Sequence, residues 1–357
     1  MIVNLLKYLL IIVAIVIAKS IAFSQSSAVL VEEFIFEKAP FKECHASTIV
    51  ETNDGLIVAW FAGTHEKHKD VEIWISRKIN EKWEEPVSVA NGIVEDKRYP
   101  CWNPVLFNIP GGDLLLFYKI GPSPSKWWGM LKRSSDQGLT WSEPEQLPEG
   151  ILGPIKNKPV LLSDGILLSP SSTEHNSWKV HMERSDAMAT KWEPLIPVDS
   201  LTTYNVIQPA ILNHKDNKLQ ILCRSKEGVI VSSFSDENGK NWDIFKPTIL
   251  PNPNSGIDAV SLRSGKHLLV YNHTTVPKGK WGGKRYPLNI ASTEDGYNWN
   301  AALVLEDQKG EYSYPAIIQS DDGLAHIIYT WDRLRIKHVV IDPELLEEKD
   351  IEIWNFE

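Results

Sequence analysis

The sequence predicts an all-β protein, a six-bladed β-propeller of four-stranded antiparallel blades. Three observations carry that prediction. Ser-x6-Trp pairs recur at Ser76/Trp83, Ser134/Trp141, Ser185/Trp192, Ser235/Trp242 and Ser292/Trp299, about 50 to 58 residues apart. Spacing of that size marks propeller blades or another repeat array. Turn residues followed by an apolar run occur six times, at 54-DGLIVAWF, 111-GGDLLLFY, 164-DGILLSPS, 216-DNKLQILC, 264-SGKHLLVY and 322-DGLAHIIY. Helical periodicity is nearly absent along the chain, and the Asp-Gly and Gly-Gly pairs between apolar runs signal tight hairpins.

Each hairpin is preceded by a further short strand: 45-HASTIVE, 103-NPVLFN, 158-KPVLLS, 208-QPAILN, 258-DAVSLR and 314-YPAIIQ. Strand, turn, strand, then a strand ending in Ser-x6-Trp describes one four-stranded sheet. Radial closure of six such sheets removes long free edges. The stretch 134-SSDQGLTW is the complete copy of the spaced motif, with Ser134, Asp136, Gly138 and Trp141. Gly allows positive φ in a hairpin, Ser and Asp bond local backbone groups, and the Trp packs between sheets. The motif therefore reads as a fold staple at the rim, and Asp136 as a structural residue.

Composition narrows the function. The net charge of −9 over 357 residues argues against a nucleic-acid partner, which usually meets a basic face. Residues 1–24 read as a secretory signal peptide, with Lys7 ahead of an uncharged run and Ala22 and Ser24 preceding a cut before Gln25. The competing reading is an uncleaved anchor, for which Leu5 to Ala18 is short. Residues 25–357 are then one exported domain, secreted or periplasmic, with no membrane span. Three cysteines exclude a full disulfide framework; one bridge, Cys44 to Cys101, is the favoured pairing. No CxxC zinc spacing occurs, and His65 and His68 form only an isolated HxxH in a charged loop. No cofactor is implied, and whether calcium braces the channel is left open.

In a propeller the innermost strands begin around one axial mouth. The expected starts are His45, Asn103, Lys158, Gln208, Asp258 and Tyr314, with Arg98, Trp102, Arg224, Arg285 and Tyr312 close by in sequence. Arginines suit carboxylate or sulfate, and Trp and Tyr offer apolar faces for a sugar ring. The expected ligand is an acidic glycan or oligosaccharide.

The repeated Ser-x-Asp-x-Gly-x-x-Trp pattern, over roughly residues 35 to 340, resembles the Asp boxes of the sialidase (neuraminidase) superfamily, and the chain is similar to its divergent bacterial branch. That resemblance implies three arginines on a substrate carboxylate, a Tyr nucleophile, a Glu that activates it and an Asp acid/base. His45 stands where the first arginine belongs, in 44-CHASTIVE. Asp70 resembles the Asp, Gln208 stands at the Glu, Arg224 and Arg285 resemble the other arginines, and Tyr312-Ser313 resembles the Tyr-Ser pair, with Tyr314 as the near alternative. His45 for Arg removes a bidentate clamp, and Gln208 for Glu removes a general base. The resemblance thus implies an exported sialidase-like glycoside hydrolase that removes a terminal acidic sugar or one linked to an acidic sugar. A uronate lyase and a non-catalytic glycan binder are the alternatives. In the hydrolase reading Asp70 is the acid, Tyr312 or His45 the nucleophile or base, Gln208 an accessory group. Arg224 and Arg285 form the clamp, and Arg98, Trp102, Asn103, Lys158, Asp258 and Tyr314 line the site.

Overall fold

A computed structural model describes residues 28–174, 177–236 and 238–354. The region read as a signal peptide lies outside the described residues, and among those described no helix is long and apolar enough to cross a membrane. Six antiparallel sheets follow one another along the chain. Their innermost strands are Glu43–Thr52, Cys101–Asn108, Val160–Leu161, Val206–Asn213, Asp258–Ser261 and Tyr312–Gln319. These six sheets are blades 1 to 6 of the propeller.

The ring closes through the N-terminus. Strand Val29–Phe34 pairs antiparallel with Arg335–Ile341 and forms the outermost strand of blade 6. This explains why five Ser-x6-Trp pairs serve six blades: blade 6 takes its fourth strand from the other end of the chain.

The core is a ring of wedges, because six apolar clusters each straddle one blade-to-blade junction. Strand Gly55–Gly63 shows how sequence dictates this. Ile57, Ala59 and Phe61 enter the cluster shared with blade 2, while Leu56, Val58, Trp60 and Ala62 enter the one shared with blade 6. Both faces of a blade are covered, so the period-2 alternation of side chains is apolar on each side. The motif tryptophans pack at these junctions: Trp83, Trp141, Trp192, Trp242 and Trp299 each join the cluster shared with the preceding blade.

The motif turns are held as their residues demand. Gly138 has φ +81° and its amide donates to Ser134 Oγ at 2.8 Å, while Asp136 accepts from the Thr140 amide at 2.8 Å. Two incomplete copies shift by a residue: Asp186 accepts from the Thr190 amide, and Asp295 from those of Tyr297 and Asn298. The expected Cys44–Cys101 bridge is not formed. Cys44, Cys101 and Cys223 are buried free thiols; Cys44 packs at the blade 6–blade 1 junction and Cys101 at the blade 1–blade 2 junction.

Candidate functional site

Four inner strands carry the same irregularity near their start. The register slips between His45 and Thr48, opposite Phe117 and Lys119 in blade 2, between Ile207 and Ala210, and between Ser313 and Ala316. At each slip one residue has positive φ: Ala46, Asn103, Gln208 and Tyr314. Such bulges re-aim a side chain without ending the sheet. A proline follows three of the four, which removes an amide the broken ladder would otherwise leave unpaired.

The bulge sends the two tyrosines to different places. Tyr312 is 3% exposed and packs on Tyr329 and Trp331 in the wall between blades 5 and 6. Burial pushes its phenol above the ordinary range. Tyr314, turned by its left-handed backbone, reaches across the hub. Its Oη accepts from Arg224 Nη1 at 3.2 Å and from Gln208 Nε2 at 3.2 Å. The His45 ring lies 4.3 Å from the Tyr314 ring, centroid to centroid. One cluster therefore joins blades 1, 4 and 6.

The cations around it differ in how they are satisfied. Arg224 Nε donates to Asn254 Oδ1 at 2.8 Å, and its guanidinium lies over Trp178 and Trp281 at 5.2 and 5.6 Å. Arg285 Nη1 donates to the Pro253 carbonyl at 3.3 Å. Neither forms an ion pair among the described residues. Burial, then the nearby Arg224 charge, pulls the Arg285 guanidinium down to about 10. Two under-compensated arginines at one mouth are a ready receptor for an anion. Arg333 is different: it donates to Glu311 and Glu66, each at 2.8 Å, and its carbonyl accepts from the Cys44 amide. It lies beside His45, where the resemblance expects the first arginine, but it comes from a turn of blade 6.

His45 is 4% exposed and shares a 3.1 Å hydrogen bond with Thr330 Oγ1. Burial first, then Arg333, Arg285, Arg224 and Lys156, holds its imidazole well below the usual histidine range, so it is neutral at neutral pH. Two carboxyls, Asp70 and Glu174, are pushed in opposite directions. Asp70 loses some solvation, but the Thr64 hydroxyl and amide and His68 hold it down at about 2. It braces the loop after strand Gly55–Gly63, and Gly63 is required there because a Cβ would meet the Val71 Cα at 2.9 Å as well as Asp70 Oδ1 at 2.6 Å. Glu174 is raised by burial, against the opposing pull of Arg224 and Lys226 and a bond from the Trp178 indole.

The remaining expected site residues lie elsewhere or are committed. Lys158 donates to Asp258 Oδ2 at 2.9 Å and to the Ala259 carbonyl, spanning the hub from blade 3 to blade 5. Trp102 is 2% exposed and its indole donates to the Gly121 carbonyl, so it backs the mouth between Phe61 and Trp127 and offers no open face. Arg98 sits on a small ribbon in ion contact with Glu72 at 2.5 Å. Asn103 is buried at the blade 2 bulge. Arg333, Glu174, Lys156, Asn254, Trp178 and Trp281 were not singled out from sequence. All six lie in the connections between second and third strands or between one blade and the next. In a propeller those connections surround the same mouth as the inner-strand starts, and that was the available signal.

A family model for the BNR repeat-like domain matches residues 54–327. The chain belongs to the BNR repeat-like domain family. Its fold is that of the sialidase-like BNR propellers. The protein of unknown function from Dyadobacter fermentans is similar over 88% of this chain and 98% of its own, with TM-score 0.73 and 14% identity. The Hadza microbial sialidase Hz136 matches over 85% of this chain and 66% of its own, with TM-score 0.71 and 17% identity. The intramolecular trans-sialidase from Ruminococcus gnavus, whose structure holds oseltamivir carboxylate, matches over 90% and 99%, with TM-score 0.71 and 13% identity. No curated protein matches the chain. At these identities the likeness concerns the propeller itself, and the chemistry of this BNR propeller rests on its own residues.

Proposed function

We propose that this BNR propeller is a sialidase-like glycosidase that removes a terminal acidic sugar from a glycan. The observation that carries the reading is the Tyr314 hydroxyl held by two N–H donors, Arg224 and Gln208, beside Arg285, which forms no ion pair among the described residues. Donors aimed at one oxygen suit negative charge developing there. The substrate carboxylate lies across Arg224 and Arg285, which brings the adjoining anomeric carbon to Tyr314. The phenol oxygen attacks that carbon as the bond to the leaving sugar breaks. Glu174, a carboxyl whose environment favours the protonated form, gives its proton to the leaving oxygen. Water, deprotonated by Glu174, then displaces the phenol oxygen and regenerates the enzyme. Asp70, held ionised by its loop, fits a supporting part better than that of proton donor. Gln208 holds the phenol by donation, His45 packs on its ring, and the phenol proton leaves to solvent water as the oxygen attacks.

A second reading is favoured by the same two residues. Gln208 lacks a carboxylate and His45 is a neutral base, so a uronate lyase would use the arginines to neutralise a carboxylate and His45 to remove the neighbouring proton. Incubation with a methylumbelliferyl sialoside and with uronate polysaccharides separates the two. Fluorophore release that falls at least a hundredfold in Tyr314→Phe, about 2.7 kcal/mol of barrier, supports the glycosidase. Ultraviolet absorbance of an unsaturated uronate supports the lyase. Turnover of the sialoside at the wild-type rate by Tyr314→Phe refutes the assignment of Tyr314.

A further inference from the structure

Gln208 and Tyr314 both hold left-handed backbone, at φ +55° and +52°. Such conformations persist where surrounding bonds over-determine them. The Gln208 amide donates to Ser172 Oγ at 3.2 Å, and bonds to both bulges come from one short segment, Lys156–Asn157, ahead of blade 3. The Lys156 ammonium is 2% exposed and donates to the Ile257 carbonyl at 2.6 Å, to Asn157 Oδ1 at 2.8 Å and to the Pro315 carbonyl. Its three protons are thereby used. Asn157, 1% exposed, donates from Nδ2 to the Gln208 carbonyl at 2.9 Å. One buried knot therefore fastens the backbone at Gln208 and at the residue following Tyr314. The Lys156 stem and the Tyr314 ring also meet at Gly256, where an added Cβ would lie 3.5 Å from Lys156 Cε and 3.4 Å from the ring.

We propose that Lys156 and Asn157 are positioning residues for the Tyr314 hydroxyl: from beneath the mouth they fix the two bulges whose side chains meet there. Neither touches the proposed substrate. The role rests on the reading that Tyr314 is the reacting group. An ordinary hub brace would add stability without tuning the Tyr314–Gln208 contact. Here the fastened atoms are the main-chain carbonyls of the bulges themselves, so loosening the knot frees the bulge torsions that aim both side chains.

The test uses the full chain labelled with meta-fluorotyrosine, with the Tyr314 fluorine resonance identified by its loss in Tyr314→Phe. Lys156→Met and Asn157→Ala are each expected to shift that resonance while leaving those of the other tyrosines in place. Each is expected to lower kcat on the methylumbelliferyl sialoside at least tenfold with KM within threefold of wild type. Asn157→Ala removes two side-chain bonds, the one to the Gln208 carbonyl and the one from Lys156 Nζ, and keeps the lysine, so it serves where Lys156→Met does not fold. An unmoved Tyr314 resonance in the folded variants overturns the proposal whatever the activity. A moved resonance with unchanged kcat overturns it as well. A moved resonance in a protein whose wild type releases no acidic sugar leaves the positioning role in place and removes the glycosidase reading.

Discussion

Replacing Lys158 by methionine isolates one electrostatic spoke of the hub. Lys158 Nζ stands 2.9 Å from Asp258 Oδ2, and the Asp258 side chain is 3% exposed. At an effective dielectric of roughly 20 the direct attraction at that distance is about 6 kcal/mol, partly offset by the desolvation of both groups. Without the ammonium, Asp258 retains the Ile317 amide on Oδ2, and its Oδ1 already lacks a hydrogen-bond partner. A buried carboxylate that loses its directly bonded counter-charge costs about 3–5 kcal/mol, toward the lower end here because Lys156 remains a nearby cation. Urea unfolding followed by circular dichroism should show Lys158→Met less stable by that amount. Lys158→Met/Asp258→Leu should recover at least about 2 kcal/mol, because the uncompensated charge goes with the aspartate. The affinity for free N-acetylneuraminate should change less than threefold in Lys158→Met. A loss of stability under about 1 kcal/mol, together with a tenfold loss of ligand affinity, would refute the reasoning and return Lys158 to the ligand.

Two further predictions concern protons. In Glu174→Gln, kcat on an unactivated sialoside should fall at least tenfold, and the decline of wild-type activity as pH rises through the raised Glu174 value should disappear; a wild-type pH profile in the variant contradicts the assignment. Acid stability should follow the histidines. His267, His273 and His326 are each pulled to about 4 by burial, and His45, His214 and His338 are also lowered, so the folded chain binds fewer protons than the unfolded chain below about 6.5. Their stabilisation is present above 6.5 and is lost as pH falls toward 4, by at most about 1.4 kcal/mol per pH unit for each group. Urea midpoints at pH 7 and pH 5 check the sign, and a midpoint that is higher at pH 5 would contradict it.

The repeat was legible because blade junctions demand it: alternating apolar strands, hairpin glycines and a tryptophan at each junction all leave marks in sequence. The N-terminal strand that completes blade 6 left none, since Val29–Phe34 lacks the motif and pairs with residues some three hundred positions away. The residues that meet at the mouth were partly legible. His45, Gln208, Arg224, Arg285 and Tyr314 come together, while Tyr312 lies in the wall, because a one-residue register slip separates tyrosines that an unbroken strand would place on one face. Lys158 and Asp258 were expected as inner-strand starts; Asp258 does begin the inner strand of blade 5, whereas in blade 3 that strand begins at Val160, and the left-handed residues ahead of these two strands are Lys156 and Asn254. Arg333 and Glu174 sit in connections that carry no motif, so only the closed ring makes them neighbours of the hub.

The most direct measurement is a crystal structure of the protein soaked with an acidic monosaccharide such as N-acetylneuraminate. The account predicts a carboxylate bridging Arg224 and Arg285, with the anomeric carbon facing Tyr314 Oη. A sugar seated at Arg98 or on the outer rim, with the hub left to solvent, would contradict it.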